Sequence, residues 1–174
     1  MTSVAIIGSG PLGRWLALRA ARAGFRVFLE DVLPANLQQA RESIRRELGA
    51  QNLPGVAFVS SIEDAVRDAD LVIDCLPDEL ESKLEILWLV DRMAPPRTVI
   101  ATPTAKLSIA DLAACTNRPE KCLAIATPLA DLASAPPPVL LLRAGPATSE
   151  DSVSLVCGFF RQIGFPPTIE RVPA

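Results

Sequence analysis

Three observations predict an α/β architecture, a doubly wound and mainly parallel sheet with helices on both faces. Short apolar runs alternate with amphipathic stretches from the first residues onward. Most runs are apolar throughout, as strands covered on both sides must be. The connections are short, which suits βαβ units wound in one direction. At 174 residues, 49% of them hydrophobic, the chain predicts a single domain over residues 1–174 with enough apolar mass for a core.

The elements follow in order. Val4 to Ile7 is a buried strand that ends on glycine. Residues 11–23 read as a helix, stopped by Gly24. Arg26 to Leu29 is the second strand. Pro34 opens a second helix, with Leu33, Leu37, Ala40, Ile44 and Leu48 at helical spacing and Gly49 behind it. Val56 to Val59 is the third strand, and Ser61-Ile62-Glu63-Asp64 has the form of a capping box ahead of a short helix. Leu71 to Cys75 is the fourth strand, apolar except for Asp74. Residues 79–93 form an amphipathic helix with Leu80, Leu84 and Leu87 on one stripe, ended by Pro95-Pro96. Thr98 to Ala101 is the fifth strand, and Ser108 caps a short helix. Leu123 to Ala126 and Val139 to Leu142 read as two more strands, with Pro136-Pro137-Pro138 in an exposed connection between them. Thr148-Ser149-Glu150-Asp151 starts the last helix, which runs to Gly164, and Ile169 to Val172 forms an edge strand.

Composition removes several classes of function. The net charge is −3 and the seventeen basic residues form no run, which argues against a nucleic acid or an anionic membrane as partner. No apolar stretch approaches the ~18 residues a membrane helix needs. Met1-Thr2-Ser3 leads straight into a strand, leaving no room for a targeting peptide, so a cytoplasmic location is expected. Cys75, Cys115, Cys122 and Cys157 contain no CxxC, and the chain has no histidine, so no metal site is expected. The cysteines read as buried, reduced, small hydrophobes.

The most informative segment is Gly8-Ser9-Gly10-Pro11-Leu12-Gly13, a GxGxxG turn between the first strand and the first helix. Gly8 permits a tight turn, Gly10 lets backbone approach a pyrophosphate, and Gly13 lets helix and strand pack closely. The helix start faces the phosphates with unpaired N–H groups. Asp31 lies 23 residues after Gly8, where a carboxylate accepts hydrogen bonds from the adenosine ribose and repels a 2′-phosphate. A Rossmann-like fold that binds NAD rather than NADP is therefore expected. Glu30 is the rival acid. Strand alternation points only one of the two at the site, and the strand-end position favours Asp31.

From Val4 to Ala174 the chain resembles the N-terminal NAD-binding domain of 3-hydroxyacyl-CoA dehydrogenases. The resemblance rests on ordered motifs: GSGPLGRWLAL, FLED, SSIEDAVRDADLVIDCLPDELESK, MAPPRTVIATPT, LSIADLAACTNRPEKC and TSEDSVSLVCGFFRQIGFPP. It implies that the acid after Pro77, here Asp78 in place of the usual Glu, contacts the nicotinamide-side ribose together with Lys83. It also implies that Leu12 flanks the nicotinamide and that Thr104 keeps the middle position of the family's Asn-Thr-Ser.

The departures from the family bear on catalysis. That Asn-Thr-Ser reads Pro103-Thr104-Ala105 here, so the serine hydroxyl is gone. Ala126 stands nearest the position of the family's catalytic histidine, and the glutamate that orients it falls near Val139 to Leu141, where no acid exists. The resemblance does not extend to the family's helical C-terminal domain. Alcohol oxidation needs a base for the hydroxyl proton, and a positioned base contributes about 10²–10⁴-fold. With no tyrosine in the chain, a Tyr-Lys arrangement is also excluded. Lys83, Lys106 and Asp131 are the replacement candidates, and Lys106 in the loop after strand five is the best placed.

Trp15 is a further departure, since the family carries a small residue there. At 100° per residue it lies about 200° from Gly13 and about 60° from Leu12. It is expected to cover apolar surface or to form a self-association interface.

Three readings follow. The first is an NAD(H)-binding module without the family's own activity. The second is an active oxidoreductase on 3-hydroxyacyl-CoA-like substrates, using a partner chain or a new base. The third is a relic that binds no cofactor. The partners implied are NAD(H), an acyl-CoA-like small molecule, and a second copy or a separate helical domain.

Overall fold

The computed structural model describes residues 1–49 and 55–173. Ala174, where the family resemblance ends, lies outside them. Eight strands form one sheet: β1 Ser3–Ile7, β2 Arg26–Glu30, β3 Val56–Val59, β4 Leu71–Asp74, β5 Val99–Pro103, β6 Cys122–Ile125, β7 Leu140–Ala144 and β8 Pro167–Arg171. Their order is β3-β2-β1-β4-β5-β6-β7-β8. The helices are α1 Pro11–Arg22, α2 Pro34–Leu48, α3 Ile62–Val66, α4 Leu80–Met93, α5 Ile109–Ala114 and α6 Glu150–Gln162. Every strand pair is parallel except β6 with β7. The Rossmann-like α/β prediction therefore holds.

Strand β1 shows why. All five of its residues are buried. Val4 and Ile6 face one apolar layer with Leu16 of α1, Ile44 of α2 and Phe159 and Phe160 of α6. Ala5 and Ile7 face the other, with Val66 of α3, Leu87 of α4 and Leu112 of α5. A strand buried on both faces has no polar face to alternate with. The chain winds outward from β1 through β2 to β3, then crosses back to β4, which pairs with the other side of β1. Ile7 is in register with Glu30 on one side and Asp74 on the other. The turn after β1 thus emerges at the point where strand order reverses, the position at which open α/β sheets bind ligands.

Several boundaries shift from their expected places for local reasons. Thr98 lies before β5, in a turn where its N–H donates to Pro95 O and its hydroxyl to Ala69 O. β7 starts at Leu140, and Val139 before it stands 68% exposed. The β6–β7 connection holds only a 3-10 turn, Leu129–Ala133, and no crossover helix, so the two strands run antiparallel. Pro136, Pro137 and Pro138 are exposed as expected. Ser61, Ser108 and Ser149 cap their helices by accepting from the N–H three residues on.

Trp15 is half-buried and meets the Phe165 ring at 5.6 Å, with the Arg19 guanidinium over both rings. It covers the apolar seam between α1 and the segment after α6. One cysteine reading needs correction. Cys122 and Cys157 are buried and Cys75 is half-buried, but Cys115 is exposed, because it sits at the C-cap of the short helix α5 rather than in its apolar face. No helix among the described residues is long and apolar enough to cross a membrane.

Candidate functional site

The glycine turn is held tightly by its own backbone. Gly8 adopts φ +96°, a conformation open to glycine, and its N–H donates to Glu30 O at 2.9 Å. A Cβ added to Gly13 would stand 1.8 Å from Gly8 O, so the first turn of α1 lies directly on the strand end. At Gly10 an added Cβ would meet nothing within 4 Å. That open side is the approach a phosphate needs. Pro11 is exposed at the start of α1, where its missing N–H costs nothing, and Leu12 is half-buried against the core.

Asp31 is a preorganised anion. Its Oδ2 accepts from Ser9 N–H at 3.1 Å and from the Ser9 hydroxyl at 2.9 Å. Its Oδ1 accepts from Leu33 N–H at 2.9 Å, and Asn36 donates to both oxygens at 3.2 and 3.1 Å. Burial works against the charge, but the bonds from Leu33, Ser9 and Asn36 outweigh it and hold the carboxyl below its usual range. Sequence reasoning missed Ser9, whose backbone and side chain couple the glycine turn to this acid.

Glu30 corrects the expectation that only one of the two acids faces the site. Both line one cavity of about 250 Å³, together with Gly8, Val32, Leu76 and Pro77. Alternation ends where β2 ends, so Asp31 is no longer bound to the face opposite Glu30. Glu30 is 3% exposed, and its Oε1 has no hydrogen-bond partner. Burial, together with the Asp31 charge, pushes its acid up to about 7, while the Gly8 N–H pulls it down.

Lys83 lies in α4, next to the loop that carries Leu76 and Pro77. It is fully buried, and its ammonium meets Asp74 Oδ1 at 2.5 Å and Leu76 O at 3.2 Å. Asp74 Oδ2 accepts from the Thr102 hydroxyl at 2.7 Å. Asp74 ends β4 and Thr102 lies in β5, so this buried network ties two strands to α4 beneath the loop that carries Leu76 and Pro77. Burial and the neighbouring Asp74 charge push the Cys75 thiol up, against Lys83, so this thiol stays protonated. Asp74 was visible as the polar residue of an apolar strand, and that was the signal for the network.

The loops after β4 and β5 meet at Asp78, whose carboxylate accepts from Ala105 N–H at 3.1 Å. Thr104 is buried, with its hydroxyl accepting from Leu107 N–H at 3.0 Å. Lys106 and Asp131 are exposed. Ala126 is buried and donates its N–H to Leu141 O at 2.9 Å, presenting only a methyl group. No cluster of His, Cys, Asp and Glu among the described residues is arranged to hold a metal.

The family model of the 3-hydroxyacyl-CoA dehydrogenase NAD-binding domain matches residues 3–169. This chain belongs to that family. Its match to the family's NAD-binding domain covers nearly the whole sequence. It is 31% identical over 182 residues to the 5-formyl-3-hydroxy-2-methylpyridine 4-carboxylate 5-dehydrogenase of Mesorhizobium japonicum, a match covering 97% of this chain and 57% of that protein. Among solved structures it superimposes on a diketoreductase at TM-score 0.84 and 26% identity, covering 100% of this chain and 65% of the other. The 3-hydroxyacyl-CoA dehydrogenase of Archaeoglobus fulgidus gives TM-score 0.81 at 26% identity, covering 100% and 58%. The matches cover 57%, 46% and 57% of the lengths of three curated relatives, so the chain spans about half of them. The glycine cradle and the Asp31 anion both suit this 3-hydroxyacyl-CoA dehydrogenase-type domain to a dinucleotide.

Proposed function

We propose that this chain, as one domain over its 174 residues, binds NAD(H) across the carboxyl ends of β1, β2 and β4. Its own side chains do not carry the family's alcohol oxidation. The observation that carries the binding half is Asp31, a charged acid held by Ser9, Leu33 and Asn36 beside an open glycine turn. Gly8, Gly10, Pro11, Leu12 and Gly13 would take the phosphates and the near face, and Asp31 the adenosine ribose. Asp78, Pro77 and Thr104 would border the nicotinamide side. Lys83 would act by holding the Leu76 carbonyl and hence the loop, rather than by touching ribose. When bound, NAD accepts or returns a hydride at its nicotinamide ring. What speaks against catalysis by this chain alone is Ala126, a methyl group where the resemblance has its base, beside a neighbouring strand with no acid to orient one.

Calorimetric titration tests the binding half. NADH should bind saturably and NADPH more weakly, because the Asp31 carboxylate repels a 2′-phosphate. Asp31→Ala should lose about 10- to 100-fold in NADH affinity, the range of a hydrogen bond to a charged group. A melting curve of the variant separates lost binding from lost fold. Failure to bind NADH at millimolar concentration would leave the third reading, a fold without its ligand.

A second reading keeps the activity, and Lys106 favours it. Lys106 is exposed in the loop that Asp78 ties down. On that reading, NAD-dependent oxidation of short 3-hydroxyacyl thioesters is measurable, alone or with a helical-domain partner, and vanishes in Lys106→Ala. Activity that survives the substitution would remove Lys106 as the base.

A further inference from the structure

Glu30 has no part in the reading above, and its setting opposes a charge. Its side chain lies on the α3/α4 side of the sheet, the side that Phe28 occupies two residues earlier. It is buried, and its Oε1 has no hydrogen-bond partner. A buried carboxylate needs a cation or several donors beside it. Glu30 has acids instead. Asp31 follows it, fixed as an anion by Ser9, Leu33 and Asn36. Glu85 of α4 lines the same cavity, and no Lys or Arg is among the described residues that line it. The other neighbours are apolar: Ile7 of β1, Val59 of β3, Ile62 of α3 and Leu76 after β4. The charged residues of α3, Glu63 and Asp64, are exposed, and Arg67 after it is bound to Asp64. Arg26, at the far end of β2, lies over the Phe28 ring.

We infer that Glu30 is a proton switch beneath the glycine turn: its neutral acid favours dinucleotide binding, and its carboxylate opposes it. The inference rests on the NAD(H) reading above and adds a regulator to that site. Glu30 stands in register with Ile7, one residue before the turn. The Gly8 N–H donates to the Glu30 backbone O at 2.9 Å and also draws on its carboxyl charge. An ionised Glu30 is therefore a fixed negative charge behind the turn that receives a pyrophosphate, which brings two negative charges of its own. A proton on Glu30 removes that repulsion without any contact between Glu30 and the ligand.

Burial and the Asp31 charge both favour the neutral form, and they push the acid up to about 7 from its ordinary 4.5. The switch thus works across neutral pH. The chain has no histidine, the side chain that ordinarily titrates there. The sign for stability follows from the same shift. The folded protein holds the proton more tightly than the unfolded chain. Its gain is full below about 4.5 and is lost as pH rises through about 7. Acid should therefore tighten both the fold and the dinucleotide site.

The test pairs melts with calorimetric NADH titrations of the full chain, wild type against Glu30→Gln, a neutral side chain of the same shape. Between pH 5 and pH 8 the wild type should lose about 5 °C or more in melting temperature relative to the variant. Parallel pH profiles would show that Glu30 takes up no proton of its own and would overturn the inference. NADH should bind the wild type about three- to tenfold more tightly at pH 6 than at pH 8, the order of one like charge acting over a short distance near a protein surface. In Glu30→Gln that difference should vanish, with the tighter affinity kept at pH 8. A wild-type affinity independent of pH, or a dependence that the variant preserves, overturns the inference and leaves the NAD(H) reading standing. If NADH binds at neither pH, both fall. Should the variant fold poorly, wild-type titrations at pH 7 in two buffers of different ionisation heat count the protons taken up with NADH. Net uptake is the expected result, and none overturns the switch.

Discussion

Lys83→Met should lower the melting temperature by roughly 6–20 °C. The reason lies in what it leaves behind. Lys83 and Asp74 are both out of contact with water, at 0% and 2% side-chain exposure. Removing one partner of a buried pair strands the other charge, at a cost of about 3–5 kcal/mol. In a chain of this size each kcal/mol is worth about 2–4 °C. Asp74 would keep only the Thr102 hydroxyl, a single donor for a whole carboxylate. The double variant Lys83→Met, Asp74→Asn should recover most of the loss, since the asparagine carbonyl still accepts from Thr102 and no charge is stranded. Thermal melts of both variants decide the matter. A single variant that melts with the wild type would mean that Asp74 finds water or a proton at little cost. The same substitution frees Leu76 O, which the ammonium holds at 3.2 Å. NADH affinity in the folded fraction should then fall as well, because Leu76 and Pro77 line the cavity beside Asp31.

That pair also marks where sequence reasoning stopped. Strand identities were legible because each strand is covered on both faces and so reads as an apolar run, as in Val4 to Ile7 and Leu71 to Ile73. Helix starts were legible because Ser61, Ser108 and Ser149 cap in the ordinary way. The glycine turn and Asp31 were legible because their spacing is local. Lys83 was not. Its partner Asp74 is nine residues away, across the step from strand to helix, and no periodicity reports which way a helical lysine turns. The antiparallel step from β6 to β7 was equally hidden, since apolar runs carry no direction. Glu30 was read against Asp31 as if one strand face excluded the other, a rule that fails at the last residue of a strand.

Two glycines of one motif should respond in opposite ways. Gly13→Ala should destabilise the protein by about 3 kcal/mol or more, at the upper end for overpacking, because the new methyl group has no free direction. It would stand 1.8 Å from Gly8 O and 3.0 Å from Gly8 C, where carbon–oxygen contacts run about 3.3–3.6 Å. Both obstacles are backbone. Gly8 is itself anchored through its N–H to Glu30 O, so α1 must retreat instead, and with it Leu16, Ala17 and Ala20 of the core. Gly10→Val meets no such obstacle. Gly10 has φ −62° and ψ −176°, backbone that any residue adopts, and its added Cβ finds open space. The melting temperature should stay near that of the wild type. NADH affinity should nevertheless drop by at least about tenfold, or 1.4 kcal/mol, because the side chain fills the approach reserved for phosphate. A calorimetric titration beside a melt for each variant separates the two roles. If Gly10→Val bound NADH as well as the wild type, the phosphates would not pass over this turn, and the open side of the motif would need another occupant.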